Sequence, residues 1–196
     1  MLERLKSEPY AWHMKNMVAM RRVATRPDFK IYNVLSDAEN VIIDTLMDHI
    51  SSGQMHVGDK KSRDDLSWFF RLIFRLILTS IHTNNRLLIQ NYFEISGVGR
   101  ISAGYSQNEI KELLRSFNNI ILSYLQTKQE LREFQSKFYD YITMPIEFAI
   151  DEIEHQYILY QQKGAEIFQE IQADPQKQSA RELLEETIWN CLVHRK

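Results

Sequence analysis

The sequence predicts an all-α protein. Apolar residues recur every three or four positions along nearly all of the 196-residue chain, which is the spacing of one face of a helix. Ser stands three residues before Asp or Glu, as in a helix cap, ahead of two of these runs. Six glycines and four prolines are too few for the turns of a β-sandwich or barrel. With 44% apolar and 26% charged residues, the composition excludes an intrinsically disordered chain.

Two helices are predicted in the first quarter of the chain. Ser7 as an N-cap and Pro9 in the first turn favour a helix over 8–24, which we expect Pro27 to end. The next helix is expected over 37–50. Its predicted apolar face consists of Ala38, Val41, Ile42, Thr45, Leu46 and Ile50.

The most apolar stretch, residues 66–81, predicts a buried helix. A polar loop at 51–60 precedes it, and Ser62 with Asp65 has the spacing of a capping box. The stretch is 16 residues long, whereas a membrane span needs about 20 apolar residues, so we expect a core helix. Only a narrow polar wedge interrupts its apolar circumference: Trp68, Arg71, Arg75, Thr79 and His82.

The middle of the chain predicts a short helix, a glycine-rich segment and a long amphipathic helix. The short helix is expected over 84–95, and three glycines in 95–104 indicate a bend or a short irregular helix. Ser106 and Glu109 form a second capping box. In the helix that follows, the apolar residues fall within an arc of about 140°. They are Ile110, Leu113, Leu114, Phe117, Ile120, Ile121, Tyr124 and Leu125.

The last third of the chain predicts a helix from about Leu131, which Pro145 is expected to kink or reset. Beyond Pro145 the apolar positions follow heptad spacing: Ile146, Ile150, Ile153, Tyr157, Tyr160, Gly164, Ile167 and Ile171. A final amphipathic helix is expected after the DPQK sequence at 174–177. We therefore expect an N-terminal helical extension (1–36), a central domain (37–173) and a C-terminal helix (174–196).

The net charge of −2 is unevenly distributed. Residues 1–30 carry seven Lys and Arg against three acids, whereas residues 144–196 carry five against ten. The basic residues of the predicted first helix are Lys15, Arg21, Arg22 and Arg26. Their modest surplus favours a solvated face, and a nucleic-acid-binding regulator is the weaker alternative because no helix-turn-helix is recognisable.

The sequence carries no catalytic signature. Cys191 has His194 nearby, but no glycine-rich elbow accompanies the pair. Glu152 and His155 form one Glu-x-x-His pair, half of what a di-iron bundle needs. A single cysteine is compatible with a reducing cytosol, and the polar start lacks the pattern of a secretory signal. We expect a cytoplasmic, non-enzymatic protein without a metal cofactor.

Arg71, Arg75 and His82 form a basic stripe on the otherwise apolar helix at 66–81. Arg71 and Arg75 lie one turn apart and project the same way. Buried cations need partners. Acids from neighbouring helices are the simpler solution, and a pocket for a carboxylate head group or a halide ion is the functional one. Arg100, in the predicted bend, is a candidate for the same pocket.

The series of helices suggests a globin, which raises the question of haem. A proximal histidine is expected just before the penultimate long helix, and residues 95–104 contain none. We therefore expect no haem. The alternative is a haem-binding, globin-type gas or redox sensor that uses His82 as an unusual axial ligand.

The heptad spacing after Pro145 has two interpretations. The helix packs into the core of its own domain, or it is shared between two copies of the chain. Both can hold, because the helix has a second apolar edge at Phe148, Ala149 and Leu159. The predicted homodimer interface is Ile146, Ile150, Ile153, Tyr157 and Tyr160.

Two segments carry a family resemblance: GRISAGYSQNEIKELLRSFNNIILSYL at 99–125 and FYDYITMPIEFAIDEIEHQY at 138–157. They resemble the N-terminal sensor domain of RsbR-type stressosome proteins and the haem-free, globin-like sensor domains that regulate sporulation kinases. The matching features are a Gly-x-Ser start of the penultimate helix, here Gly104 to Ser106, and a Pro-Ile step in the last one, here Pro145 and Ile146.

The resemblance implies a globin-like bundle without haem that senses a small apolar or anionic ligand, such as a fatty acid or a halide. It also implies a homodimer that acts in signal transduction or stress response on a protein partner, such as a kinase or a stressosome-like regulator. The predicted ligand-binding residues are Arg71, Arg75, His82, Arg100, Tyr105 and Phe117.

Overall fold

The computed structural model describes residues 26–52, 62–102 and 106–163, apart from the side chains of 98–102 and 163. All regular structure in these ranges is helical, which confirms the predicted all-α class. The helices are α1 (Pro27–Ser36), α2 (Glu39–Ser51), α3 (Arg63–Thr83), α4 (Leu88–Ser102), α5 (Gln107–Gln126), α6 (Gln135–Phe138) and α7 (Met144–Lys163). A 3₁₀ segment (Gln129–Phe134) precedes α6, and a π-helical segment (Tyr139–Thr143) joins α6 to α7.

Helix α3 is the centre of the fold. From Phe69 to Ile81 every residue is buried except Arg71, Arg75 and Thr79, which are half-buried, so the predicted polar wedge is confirmed. Helices α1, α2 and α4 pack around it, together with the π-helical segment. Such a helix is stable only inside protein, because its apolar surface covers most of its circumference.

Capping residues determine where α3 and α5 begin. The backbone N–H of Asp64 donates to Ser62 Oγ (3.1 Å), so Ser62 caps α3, although through the second helical residue instead of the predicted Asp65. At α5 the predicted capping box is complete: Ser106 Oγ accepts from the Glu109 N–H, and Glu109 accepts from the Ser106 N–H. Asn84, in the left-handed conformation at φ 55°, ends α3.

An aromatic cluster joins α3 to α4 and α5. The Phe117 ring of α5 lies 5.1 Å from Phe70 and 6.3 Å from Phe74, and Phe69 lies 6.2 Å from Phe93 of α4. These tilted and edge-to-face arrangements are favourable for aromatic pairs. Phe117 is fully buried among them and therefore contributes to the core.

Of the two alternatives predicted for 95–104, the bend is wrong over the described part, because α4 continues to Ser102. Helices α4 and α7 form the most extensive helix pair among the described residues. A Cβ atom at Gly97 would lie 3.4 Å from Gln156 Cγ of α7. That distance is an ordinary van der Waals contact, so Gly97 lies at the interface between α4 and α7 without being required there. It does not break α4, although glycine lowers intrinsic helix propensity.

Pro145 resets the last helix as predicted. It lacks a backbone N–H, so a regular helical hydrogen bond cannot form at this position. The π-helical segment immediately before it ends with the Met144 N–H donating to the Tyr139 carbonyl, one residue farther back than in an α-helix. Beyond this wide turn, α7 continues to Lys163.

The first described helices add to one expectation and correct another, and the prediction that Pro27 ends a helix over 8–24 lies outside the described residues. Pro27 begins α1 at its first position, where the missing N–H costs nothing, and the helix buries Ile31 and Leu35 in the core. In α2 the buried face is Ile42, Ile43, Leu46 and Met47. Val41 was predicted on the buried face and is 56% exposed, because the tertiary contacts of α2 rotate its buried face by about one residue.

Several expectations lie outside the described residues: the helix at 8–24, the positions Gly164, Ile167 and Ile171, and the last helix after 177. The predicted N-terminal extension is described only from residue 26, and that part packs on α3. None of the helices in the described ranges is both long and apolar enough to cross a membrane.

The aromatic cluster predicts a large cost for Phe117→Ala. Removing a fully buried ring leaves a cavity, so we expect a loss of about 3–5 kcal/mol in the free energy of unfolding, measured by urea denaturation. Phe29→Ala is the control, because Phe29 is 46% exposed and should cost far less. Equal losses in the two variants would contradict the central position of the cluster.

Candidate ligand-binding site

The two arginines of the α3 wedge meet a carboxylate from α2. Arg71 Nη1 lies 3.3 Å from Glu39 Oε1, and Arg75 Nη2 lies 2.8 Å from Glu39 Oε2. Arg71 Nη1 also donates to Asn40 Oδ1 at 2.8 Å. Each oxygen of the Glu39 carboxylate therefore binds a different guanidinium group. We call Glu39, Asn40, Arg71 and Arg75 the arginine cluster.

The backbone explains why these side chains meet. Arg71 and Arg75 lie one turn apart on the same face of α3. Glu39 is the first residue of α2, where a negative charge is favourable beside the helix dipole. A second ion pair, from Arg63 to Asp48 at 3.3 Å, joins the other end of α2 to the start of α3.

The arginine cluster has more positive charge and more donors than its acceptors satisfy. Two guanidinium groups face one carboxylate among the described residues. The Nε–H of Arg75 is buried and has no partner there, and the same is true of the Trp68 indole N–H on the same wedge. Unpartnered buried donors are costly. The side chains of Arg71 and Arg75 remain about one-third exposed, so an anion from solution can reach them.

His82 lies on the same wedge but contacts α1. Its ring is 5.7 Å from that of Tyr32, and both line a cavity of about 260 Å³ with Arg26, Asp28, Phe29 and Ile81. The described contacts thus separate His82 from the arginine cluster.

An ion pair between Arg26 and Asp28 lies at the edge of the His82 cavity. Burial raises the pKa of the Asp28 carboxyl, but the hydrogen bonds from Arg26 and from the Phe29 backbone outweigh it and hold that pKa below its ordinary value. The same bond to Asp28 raises the pKa of Arg26. Both groups are charged at neutral pH, so each neutralises the charge of the other.

A second cavity, of about 500 Å³, opens between α2 and α5. Its lining is Thr45, His49, Ser116, Asn119, Ile120, Ser123, Tyr124 and Thr127. These side chains are mostly small and polar, and none of the described ones is a carboxylate, an ammonium or a guanidinium. For an anionic head group the lining offers hydrogen bonds and the His49 imidazole.

The structure therefore places the predicted site residues in different parts of the fold. Arg71 and Arg75 come together, His82 lies in the α1 cavity, and Phe117 belongs to the core. The side chains of Arg100 and Tyr105 are outside the described part of the chain.

The predicted dimer interface on α7 is partly buried within the chain's own fold. Ile146, Ile150 and Ile153 are at most 2% exposed, so their apolar surface is already covered within the chain. Tyr157 and Tyr160 are half-buried, and Ile158 beside them is 52% exposed. Of the five predicted interface positions, only the two tyrosines have surface left for a partner.

Sequence reasoning missed Glu39 and Asn40. They precede Arg71 by more than thirty residues, and no local pattern distinguishes Glu39 from the other acids. It also missed a buried polar group between α4 and α7, in which Glu152 accepts from Gln156 (2.7 Å) and Gln90 (3.4 Å). His155 Nδ1 is 3.8 Å from Glu152, but no metal-binding group of three or more His, Cys, Asp or Glu occurs within the described ranges.

Comparisons with known proteins add no relative: no family model, curated protein or solved structure matches the chain.

The arginine cluster predicts that Glu39→Ala destabilises the protein by about 1–3 kcal/mol, because two partly buried guanidinium groups lose their carboxylate. Asp48→Ala is the matched control on the same helix. Its pair with Arg63 is largely exposed on both sides, so it should cost at most about 1 kcal/mol. Urea denaturation measures both, and an Asp48 effect as large as that of Glu39 would contradict the prediction.

Proposed function

We propose that this chain is a non-enzymatic regulatory sensor of globin-like fold, without haem, that binds a small anionic ligand with or without an apolar tail. The observation that carries the proposal is the surplus of positive charge in the arginine cluster, where two partly exposed guanidinium groups share one carboxylate. Guanidinium groups are suited to carboxylates, which they can bind through two parallel hydrogen bonds.

The position of the cluster suits a sensor. It lies where α2 meets the buried α3, and apolar side chains of both helices line the adjoining core. An anion bound there changes the charge balance that holds α2 on α3. A ligand shifts the protein between two arrangements only if it binds one of them more tightly, and a displaceable helix contact supplies such a difference.

We also propose that the protein is a homodimer in the cytoplasm. It acts on a protein partner, such as a kinase or a stressosome-like regulator. The support for a dimer is the apolar surface at the C-terminal half of α7, where Ile158 is 52% exposed between Tyr157 and Tyr160. We place the contact between protomers there, because the three isoleucines of the predicted dimer interface are buried in the core.

The proposal predicts that Arg71→Ala combined with Arg75→Ala weakens binding of octanoate at least about tenfold, because the head group loses both guanidinium partners. Isothermal titration of the full chain measures the affinity, and mass analysis of solvent extracts reports any co-purified carboxylic acid. Arg63→Ala is the control, since Arg63 lies on α3 outside the cluster and should leave the affinity unchanged.

Where the double alanine variant fails to fold, Arg71→Lys with Arg75→Lys replaces it. This variant keeps the charge and removes the two-pronged donor geometry, so it should still weaken octanoate binding. Octanoate affinity that is equal in all variants, or no binding by the unmodified protein, would overturn the anion site.

The absence of haem has its own test. We expect the purified protein to show no Soret band, and haem added in equimolar amount to produce no spectrum of a histidine-ligated iron. A Soret band that His82→Ala removes would instead support the haem-binding globin alternative.

A further inference from the structure

The carboxylate of Glu39 already occupies the place that a ligand carboxylate would take. Its two oxygens divide between Arg71 and Arg75, at 3.3 and 2.8 Å. The two arginines thus bind a planar group through two separate oxygens, and a spherical halide cannot provide two such acceptors. The geometry therefore points to a carboxylate as the ligand class.

We propose that Glu39 is a resident competitor: it fills the arginine cluster when ligand is absent, and a ligand carboxylate displaces it. This inference rests on the proposed function, because it concerns regulation of the same site. Displacement costs little backbone movement, since Glu39 reaches the arginines with a flexible side chain from the first residue of α2.

A free carboxylate competes with Glu39 for the exposed part of the two guanidinium groups. Glu39 binds Arg75 through Nη2, and the side chains of Arg71 and Arg75 remain about one-third exposed. The Nε–H of Arg75 is buried without a partner among the described residues, so a ligand from solution does not reach it. A ligand carboxylate therefore takes over the contacts that Glu39 makes, and its concentration decides the exchange.

Asn40 keeps the site in place during the exchange. Its side-chain oxygen accepts from Arg71 Nη1 at 2.8 Å, independently of Glu39. Arg71 therefore remains oriented when the Glu39 carboxylate leaves.

The exchange has a structural consequence at α2. Ala38 precedes the helix and provides no side-chain cap, so the described polar contacts that hold its first turn to α3 are the two Glu39 ion pairs and the hydrogen bond from Arg71 to Asn40. At its other end α2 keeps the pair between Asp48 and Arg63. Displacement of Glu39 should loosen the first turn of α2 and leave its last turn attached.

The test compares propionate binding to the full chain as the unmodified protein, as Glu39→Gln and as the control Glu112→Gln. Glu112 pairs with Arg115 on the exposed face of α5, away from the cluster. We expect Glu39→Gln to bind propionate about tenfold more tightly, the gain produced when a competitor that fills a site about 90% of the time is removed. Glu112→Gln and the unmodified protein should be equal, and chloride should show no comparable gain.

Hydrogen exchange of the α2 amides provides the second readout. Propionate should speed exchange of the Ile42 amide, which donates to the Ala38 carbonyl at the start of α2, and leave the last turn of α2 unchanged. In Glu39→Gln the Ile42 amide should exchange fast before propionate is added. Glu39→Asp, which keeps the charge but is one methylene shorter, should have an intermediate affinity and serves if Glu39→Gln does not fold.

The outcomes separate the two proposals. Propionate binding that depends on Arg71 and Arg75 but is equal or weaker in Glu39→Gln would overturn the resident competitor and leave the anion site standing. Propionate binding by none of the variants would overturn the site, and the competitor with it.

Discussion

The burial of α3 on nearly every side is the constraint on which the rest of the structure depends. A helix with this much apolar surface must be covered by its neighbours, yet it carries Arg71 and Arg75 into the covered region. Desolvated guanidinium groups need acceptors, and the start of α2 provides them through Glu39 and Asn40. The contact between the start of α2 and α3 is therefore also the place where two positive charges and one negative charge lie together.

The pair of helices α4 and α7 differs from α2 in its polar contacts. Helices α4 and α7 share the buried Glu152, which accepts from the amides of Gln156 and Gln90. Helix α2 also buries apolar residues, but its ion pairs to α3 involve partly exposed arginines, which solvent and salt weaken. The proposed sensing is placed at α2 because an ion from solution can reach these arginines.

Local signals predicted much of the fold because they act over a few residues. The capping box of Ser106 and Glu109, the amphipathic face of α5 and the reset at Pro145 follow from spacing alone. The sequence left a bend and a short irregular helix open at 95–104 because a glycine can end a helix or lie within one. Gly97 lies within α4 and contacts Gln156 of α7, almost sixty residues away, which no signal inside 95–104 could show.

The sequence by itself determined the helical class, the helix that must be buried and the two arginines that lie together on it. These follow from periodicity and from the geometry of a single helix. Only the tertiary structure decided which acid meets those arginines, which isoleucines of α7 are covered by the chain itself, and that His82 faces α1. Each of these depends on how separate helices are placed against one another, and a pattern within one helix contains no information about the direction from which its neighbour comes.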